Sequence, residues 1–151
     1  MKFDFVDFLP EKNIICLRSS NKKDAIRELV DYGAQTGGYD AQKALNAVME
    51  RESHLSTGLG NKVALPHARI SGLSEPQVVI GLCDMPITDY ECLDNQPVEI
   101  IILIVSDESD HNRYLSILKS VSNNLLTNKS LIDKLIASRN HPDEFIRLLK
   151  D

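Results

Sequence analysis

The residues best suited to chemistry lie close together, in the run RESHLSTGLGNKVALPHAR from Arg51 to Arg69. His67 follows Pro66 near its end, with Arg51, Ser56, Thr57, Gly58 and Gly60 upstream. Imidazole is a competent nucleophile near neutral pH, because a useful fraction of it is unprotonated. Arginine offers a planar, permanently charged fork that suits phosphate. Serine and threonine hydroxyls can donate to phosphate oxygens. Glycines let backbone N–H groups approach an anion closely. Together these describe an anion or phosphoryl site whose histidine can accept the group. A plainer reading stands beside it: a lone histidine after proline is commonly structural, and Ser-Thr-Gly-Leu-Gly commonly a flexible loop. The chain has no Gly-Lys-Ser, Gly-Lys-Thr or Gly-x-Gly-x-x-Gly, so no nucleotide is implied.

Positioning His67 requires a framework, and the apolar pattern supplies one. Asn13 to Leu17 reads as a short strand. Asn21 to Ala34 reads as a helix, with Ala25, Ile26, Leu29 and Val30 at helical spacing and Gly33, Gly37 and Gly38 at its end. Asp40 caps a second helix carrying Ala44, Leu45 and Val48. The stretch from Arg51 reads as loop, then Val63–Leu65 as a short buried strand, so that His67 falls where chain leaves a sheet. Gln77 to Cys83 and Val98 to Val105 are further strands. The second, VEIIILIV, is almost continuously apolar, which suits a strand buried on both faces. Helices are expected at Asp110 to Leu126 (Leu115, Leu118, Val121 and Leu125 on one face), Ser130 to Ala137, and Asp143 to Leu149. The pattern predicts an α/β layered domain, a central mixed β-sheet flanked by helices, in a single unit over residues 1–151.

Composition narrows the functions. A chain of 151 residues buries roughly 70% of its unfolded surface and needs no staple. A formal net charge of −5 without a basic cluster argues against a nucleic-acid partner. Cys16, Cys83 and Cys92 include no Cys-x-x-Cys pair, so neither a disulfide framework nor a metal site is expected, and each reads as a small buried hydrophobe. Acids interrupt the first apolar stretch, Met1 to Asp7, unlike a signal peptide. The longest apolar run, Ile100 to Val105, is too short to insert in a bilayer. The expectation is a cytoplasmic protein.

Two separated blocks resemble the enzyme IIA domains of the bacterial phosphotransferase system, fructose/mannitol type, including the nitrogen-regulatory branch. The first is Arg51-Glu52, then Thr57-Gly58-Leu59-Gly60-Asn61, then Ala64-Leu65-Pro66-His67. The second is Pro86-Ile87-Thr88-Asp89-Tyr90 with Asp94-Asn95-Gln96-Pro97-Val98. The order of helices is similar too, including Lys22-Lys23-Asp24-Ala25-Ile26 at the first. The resemblance implies a phosphotransferase in which His67 accepts a phosphoryl group from a histidine-containing phosphocarrier protein and passes it to an enzyme IIB domain. Arg51 and Thr57 would steady the group in transit. No cofactor and no metal is implied. The alternative it carries is regulatory: a IIA protein that binds other proteins according to its phosphorylation state.

The chain departs from the family at Lys62 and Ala68, where glycine is common, and at Tyr114, where many members carry a second histidine. His111, one turn earlier, or the Tyr114 hydroxyl would then serve, with Ser56 a further accessory donor. His54 reads as surface loop, His141 as the start of the last helix, and Glu52 as a residue orienting Arg51 or a helix-end charge. Asp107, Glu108 and Asp110 read as a solvated acidic loop.

Overall fold

A computed structural model describes residues 4–150. Met1–Phe3 and Asp151 lie outside the described residues, so the expectation for the start of the chain is followed only from Asp4. Its centre is a six-stranded sheet of β1 (Ile14–Leu17), β2 (Gly58–Gly60), β3 (Val63–Ala64), β4 (His67–Ile70), β5 (Gln77–Ile87) and β6 (Val98–Asp107). The order is β1-β5-β6-β3-β2, with β4 also on β6. β5 and β6 run antiparallel, whereas β1 is parallel to β5, and β3 and β4 are parallel to β6. The sheet is mixed, as the sequence predicts.

The run VEIIILIV is continuous because each of its faces meets a layer of helices. Ile100, Ile102 and Ile104 point to one side, with Val78, Ile80 and Leu82 of β5. That side is covered by α3 (His111–Ser120), α4 (Lys129–Ala137) and α5 (Pro142–Lys150), through Ile117, Ile132, Leu135, Phe145 and Leu149. Ile101, Leu103 and Val105 point to the other side. They meet α1 (Lys22–Gly37) and α2 (Ala41–His54) through Ala25, Ile26, Leu29, Val30, Ala44 and Val48. Strand alternation thus sorts one apolar run into two cores.

Three boundaries differ from the sequence reading. α1 continues through Gly33 to Gly37. Gly33 is no stop signal: the Tyr39 hydroxyl lies 2.2 Å from where a Cβ would stand, so glycine makes a notch for a buried tyrosine. α2 extends to His54, which puts Arg51 in its last turn rather than in a loop. The expected helix over Asp110–Leu126 is α3 followed by a π turn at Val121–Leu125. Its buried face is Ile117, Val121 and Leu125, while Leu115 is exposed. Of the cysteines only Cys83 is buried; Cys16 is exposed and Cys92 half-buried.

Candidate functional site

His67 opens β4 opposite Ile104 and is itself 9% exposed. It does not mark the departure from the sheet that the Val63–Leu65 pattern predicts; the chain re-enters the sheet there and runs on to Ile70. Its Nδ1 lies 2.7 Å from the Leu65 carbonyl oxygen. A carbonyl only accepts, so Nδ1 carries the proton and donates, leaving the Nε2 lone pair free. Burial pulls the His67 pKa below its ordinary value, opposed by the Leu65 carbonyl; the Arg51 charge adds to the lowering and Glu52 opposes it. The balance favours the neutral ring, the nucleophilic form.

His67 and Arg51 are shared by two adjoining cavities. One, of about 510 Å³, is walled largely by Leu55, Leu59, Leu65, Leu93 and Leu118. Leu55 and Leu93 stand well out of the surface, the latter fully exposed. The other, about 370 Å³, is more polar, and Arg69, Tyr114, His54, Glu50 and Glu108 line it. His67 therefore sits between an apolar basin and a charged one.

Arg51 donates from Nη1 to the Leu55 carbonyl at 2.7 Å, closing the end of α2. A guanidinium has five N–H donors, so most of its fork is left for an anion. Thr57 is placed differently from the sequence expectation. Its side chain is buried, and its hydroxyl donates to the Glu52 carboxylate and lies 2.7 Å from the Tyr90 hydroxyl. A hydroxyl has one proton, and Glu52 takes it. Glu52 also accepts from the Thr57 backbone N–H at 3.1 Å and pairs with Lys22 at 3.0 Å. Lys22 Nζ lies 4.7 Å from the centre of the Tyr90 ring. Glu52 therefore orients Thr57 rather than Arg51. Tyr90, buried beside this carboxylate, is held protonated: desolvation first and the Glu52 charge second push its pKa well up.

That network reaches His67 through the backbone. The Thr57 carbonyl accepts from Leu65 N–H at 3.0 Å, and the Leu65 carbonyl fixes His67 Nδ1. Ser56 donates to the Glu91 carbonyl at 2.7 Å, which occupies the proton expected for an anion. Gly58 lies under the same carbonyl, 2.2 Å from where a Cβ would be, so any side chain there requires the 91–92 segment to shift. Asp94 ties the neighbouring turn by accepting from Asn61 N–H at 2.8 Å and Gln96 N–H at 3.1 Å. Asn61 and Lys62 both take positive φ, 51° and 71°, which explains why glycine suits position 62. Ala68 points away from the site into the α1/α2 core, so its methyl does not crowd the surface around His67.

Tyr114 meets His67 edge-on, ring centres 5.6 Å apart at 62°. His111 does not reach His67 in this way; its Nδ1 lies 3.1 Å from Nη1 of Arg69. Arg69, which the sequence reading passed over, lies 5.2 Å from the centre of the Tyr114 ring. Its signal was present: residues two apart in a strand share a face, and Arg69 follows His67 by two. His54 ends α2 on the rim of the polar cavity. His141 immediately precedes α5. Asp107 accepts from Ser109, Gly72 N–H and Leu73 N–H, which draws its carboxyl down to about 2 and makes it a loop clasp. Among the described residues no three His, Cys, Asp or Glu gather as a metal site, and no helix is long and apolar enough to cross a membrane.

This layered sheet, with its histidine strand laid along the long central strand, is the fold of enzyme IIA domains. The nitrogen regulatory protein IIA-Ntr of Neisseria meningitidis superposes with a TM-score of 0.82, over 97% of this chain and 99% of that one, at 20% identity. Residues 7–151 match the family described as phosphoenolpyruvate-dependent sugar phosphotransferase system, EIIA 2, and the chain belongs to that family. A nitrogen regulatory protein of Bradyrhizobium diazoefficiens is 30% identical over 130 residues, 86% of this chain and 84% of that protein. The fructose-specific EIIABC component of Bacillus subtilis is 32% identical over 111 residues, 73% of this chain but 17% of that longer protein.

Proposed function

We propose that His67 carries a phosphoryl group on Nε2, taken from a phosphohistidine of a phosphocarrier protein and passed to a IIB domain. The observation that carries this reading is the 2.7 Å approach of His67 Nδ1 to the Leu65 carbonyl. It holds the proton on Nδ1 and leaves Nε2 as the nucleophile. In the forward step the Nε2 lone pair forms a bond to phosphorus. The P–N bond of the donor breaks and its electron pair stays on the donor imidazole. The proton stays on His67 Nδ1 throughout, hydrogen-bonded to the Leu65 carbonyl, so His67 later leaves as neutral imidazole. In flight the phosphoryl spreads charge over its equatorial oxygens, and positioning with electrostatics does most of the work. Arg51, with free donors beside His67, supports that charge. Thr57 acts by holding the strand link to Leu65. The exposed leucines around the larger cavity suit the docking of a protein partner.

The test is labelling with phosphoenolpyruvate, enzyme I and phosphocarrier protein. One acid-labile phosphate is expected, on Nε2 by nitrogen NMR, and none on His67→Ala. Equal labelling of His67→Ala, or phosphate on Nδ1, would overturn the reading.

A second reading has its own support. The chain spans 84% of a nitrogen regulatory relative. A regulatory protein binds partners according to whether His67 is phosphorylated. Affinity capture with unphosphorylated and phosphorylated protein separates the two: a pure sugar carrier retains only IIB, and a regulator retains a partner that changes with phosphorylation.

A further inference from the structure

We propose that Arg69 is a second phosphoryl-binding cation at His67, aimed by Tyr114 and His111; this rests on the phosphohistidine reading above. The alternation of β4 places His67 and Arg69 on one face, about 7 Å apart along the strand. Ala68 and Ile70 point the other way, into the α1/α2 core. The face bearing His67 and Arg69 looks toward α3, where His111 and Tyr114 stand one turn apart.

The partners of Arg69 are a ring face and a ring nitrogen. Its guanidinium lies over the Tyr114 ring at 5.2 Å, and Nη1 lies 3.1 Å from His111 Nδ1. A guanidinium only donates, so His111 Nδ1 accepts and that ring is neutral, with its proton on Nε2. Both partners are uncharged. Among the described residues no carboxylate comes within ion-pair distance of Arg69, although Glu50 and Glu108 line the same cavity. Arg69 is held by two neutral rings with its charge uncompensated, beside a buried neutral histidine.

Tyr114 completes the line, packing on Arg69 through its face and on His67 at 5.6 Å. Arg69, Tyr114, Arg51 and His67 all border the 370 Å³ cavity. A phosphoryl dianion on Nε2 has two negative charges, against one positive on the ring that keeps its Nδ1 proton and one on Arg51. Arg69 adds further N–H donors to the equatorial oxygens. It makes no covalent bond: the N–P bond forms at His67 and the donor's P–N bond breaks as described above. Tyr114 and His111 are positioning residues.

The test uses the full chain and two phosphoryl donors. Phosphocarrier protein requires docking, whereas phosphoramidate, a small donor, does not. Arg69→Gln is expected to slow labelling by phosphoramidate about tenfold, with an unchanged urea midpoint, because Arg69 is exposed. The phosphorus NMR titration of the phosphohistidine should move to higher pH, since the dianion has lost a cation. Arg69→Lys should restore part of both. Tyr114→Ala should reproduce the loss and Tyr114→Phe should not, because the ring face is what aims the guanidinium. A purely structural Arg69 would leave the phosphate titration unmoved, and that result overturns the proposal even if labelling slows. Parent-like labelling and titration in Arg69→Gln, with His67→Ala unlabelled, overturns the role of Arg69 and leaves His67 standing. A parent protein that takes phosphate from neither donor removes both.

Discussion

Replacing Glu52 with alanine should cost about 3 kcal/mol of stability and loosen His67 without touching it. The Glu52 side chain is 3% exposed and its partner Lys22 is 13% exposed, so both charges of the 3.0 Å pair are largely out of water. Removing one member of a buried pair leaves the other charge uncompensated, which costs about 3–5 kcal/mol. Glu91, 3.4 Å from Lys22 and mostly exposed, offers partial relief and sets the expectation at the lower end. The Thr57 backbone N–H and the Thr57 and Tyr90 hydroxyls also lose their carboxylate. For a domain of this length each kcal/mol moves the melting temperature by about 2–4 °C, giving a fall near 10 °C. Glu52→Gln keeps the shape and one acceptor and should lose less.

The assay is urea unfolding with calorimetry, run beside nitrogen NMR of the His67 ring. The parent ring should show Nδ1 protonated. In Glu52→Ala that preference should weaken, because the link from Thr57 to Leu65 to His67 has lost its anchor. A stability loss under about 1 kcal/mol would refute the claim that the pair is functionally buried. A full loss of stability with an unchanged tautomer would refute the claim that the network reaches His67.

Three further outcomes follow from named groups. His67 has a folded pKa below its unfolded value of about 6.5, so the unfolded chain binds more protons between the two. Its contribution to stability is complete above about pH 6.5 and declines as pH falls toward the folded pKa. Urea unfolding of parent and His67→Gln at pH 8 and pH 5 should show a steeper acid loss in the parent, and parallel curves would contradict the shift. Gly58→Ala should destabilise by about 1–3 kcal/mol, because a Cβ would meet the Glu91 carbonyl at 2.2 Å and Cys92 Sγ at 2.5 Å; a parent-like melting curve would show that the 91–92 segment yields freely. Lys62→Gly should change stability by less than about 1 kcal/mol, since relief of φ 71° is offset by the entropy of glycine and loss of the 3.5 Å Lys62–Glu99 pair; a loss above about 2 kcal/mol would mean that the pair dominates.

How much of this was legible in the sequence depended on whether a residue's role lies in its type or in its partner. The two-sided burial of Val98 to Val105 was legible because continuous apolarity has few other solutions. His67 and Arg51 were legible as candidates, because imidazole and guanidinium bring their chemistry with them and two separated blocks resemble the enzyme IIA family. The roles of Glu52 and Thr57 were not. Their types suggest a helix-end charge and a phosphate donor, but burial turns them toward each other, and only the fold brings Lys22 and Tyr90 to the same carboxylate. Gly33 misled for the same reason: it reads as a stop, and the reason for it is a tyrosine that sequence spacing does not place. Arg69 marks the limit most clearly. Its place on the His67 face follows from counting by two along a strand. Its proposed significance follows from its neighbours: among the described residues no carboxylate pairs with it, and two rings meet it from a helix more than forty positions away. A cation left uncompensated is a property of a neighbourhood, so it becomes visible only once β4 and α3 are side by side.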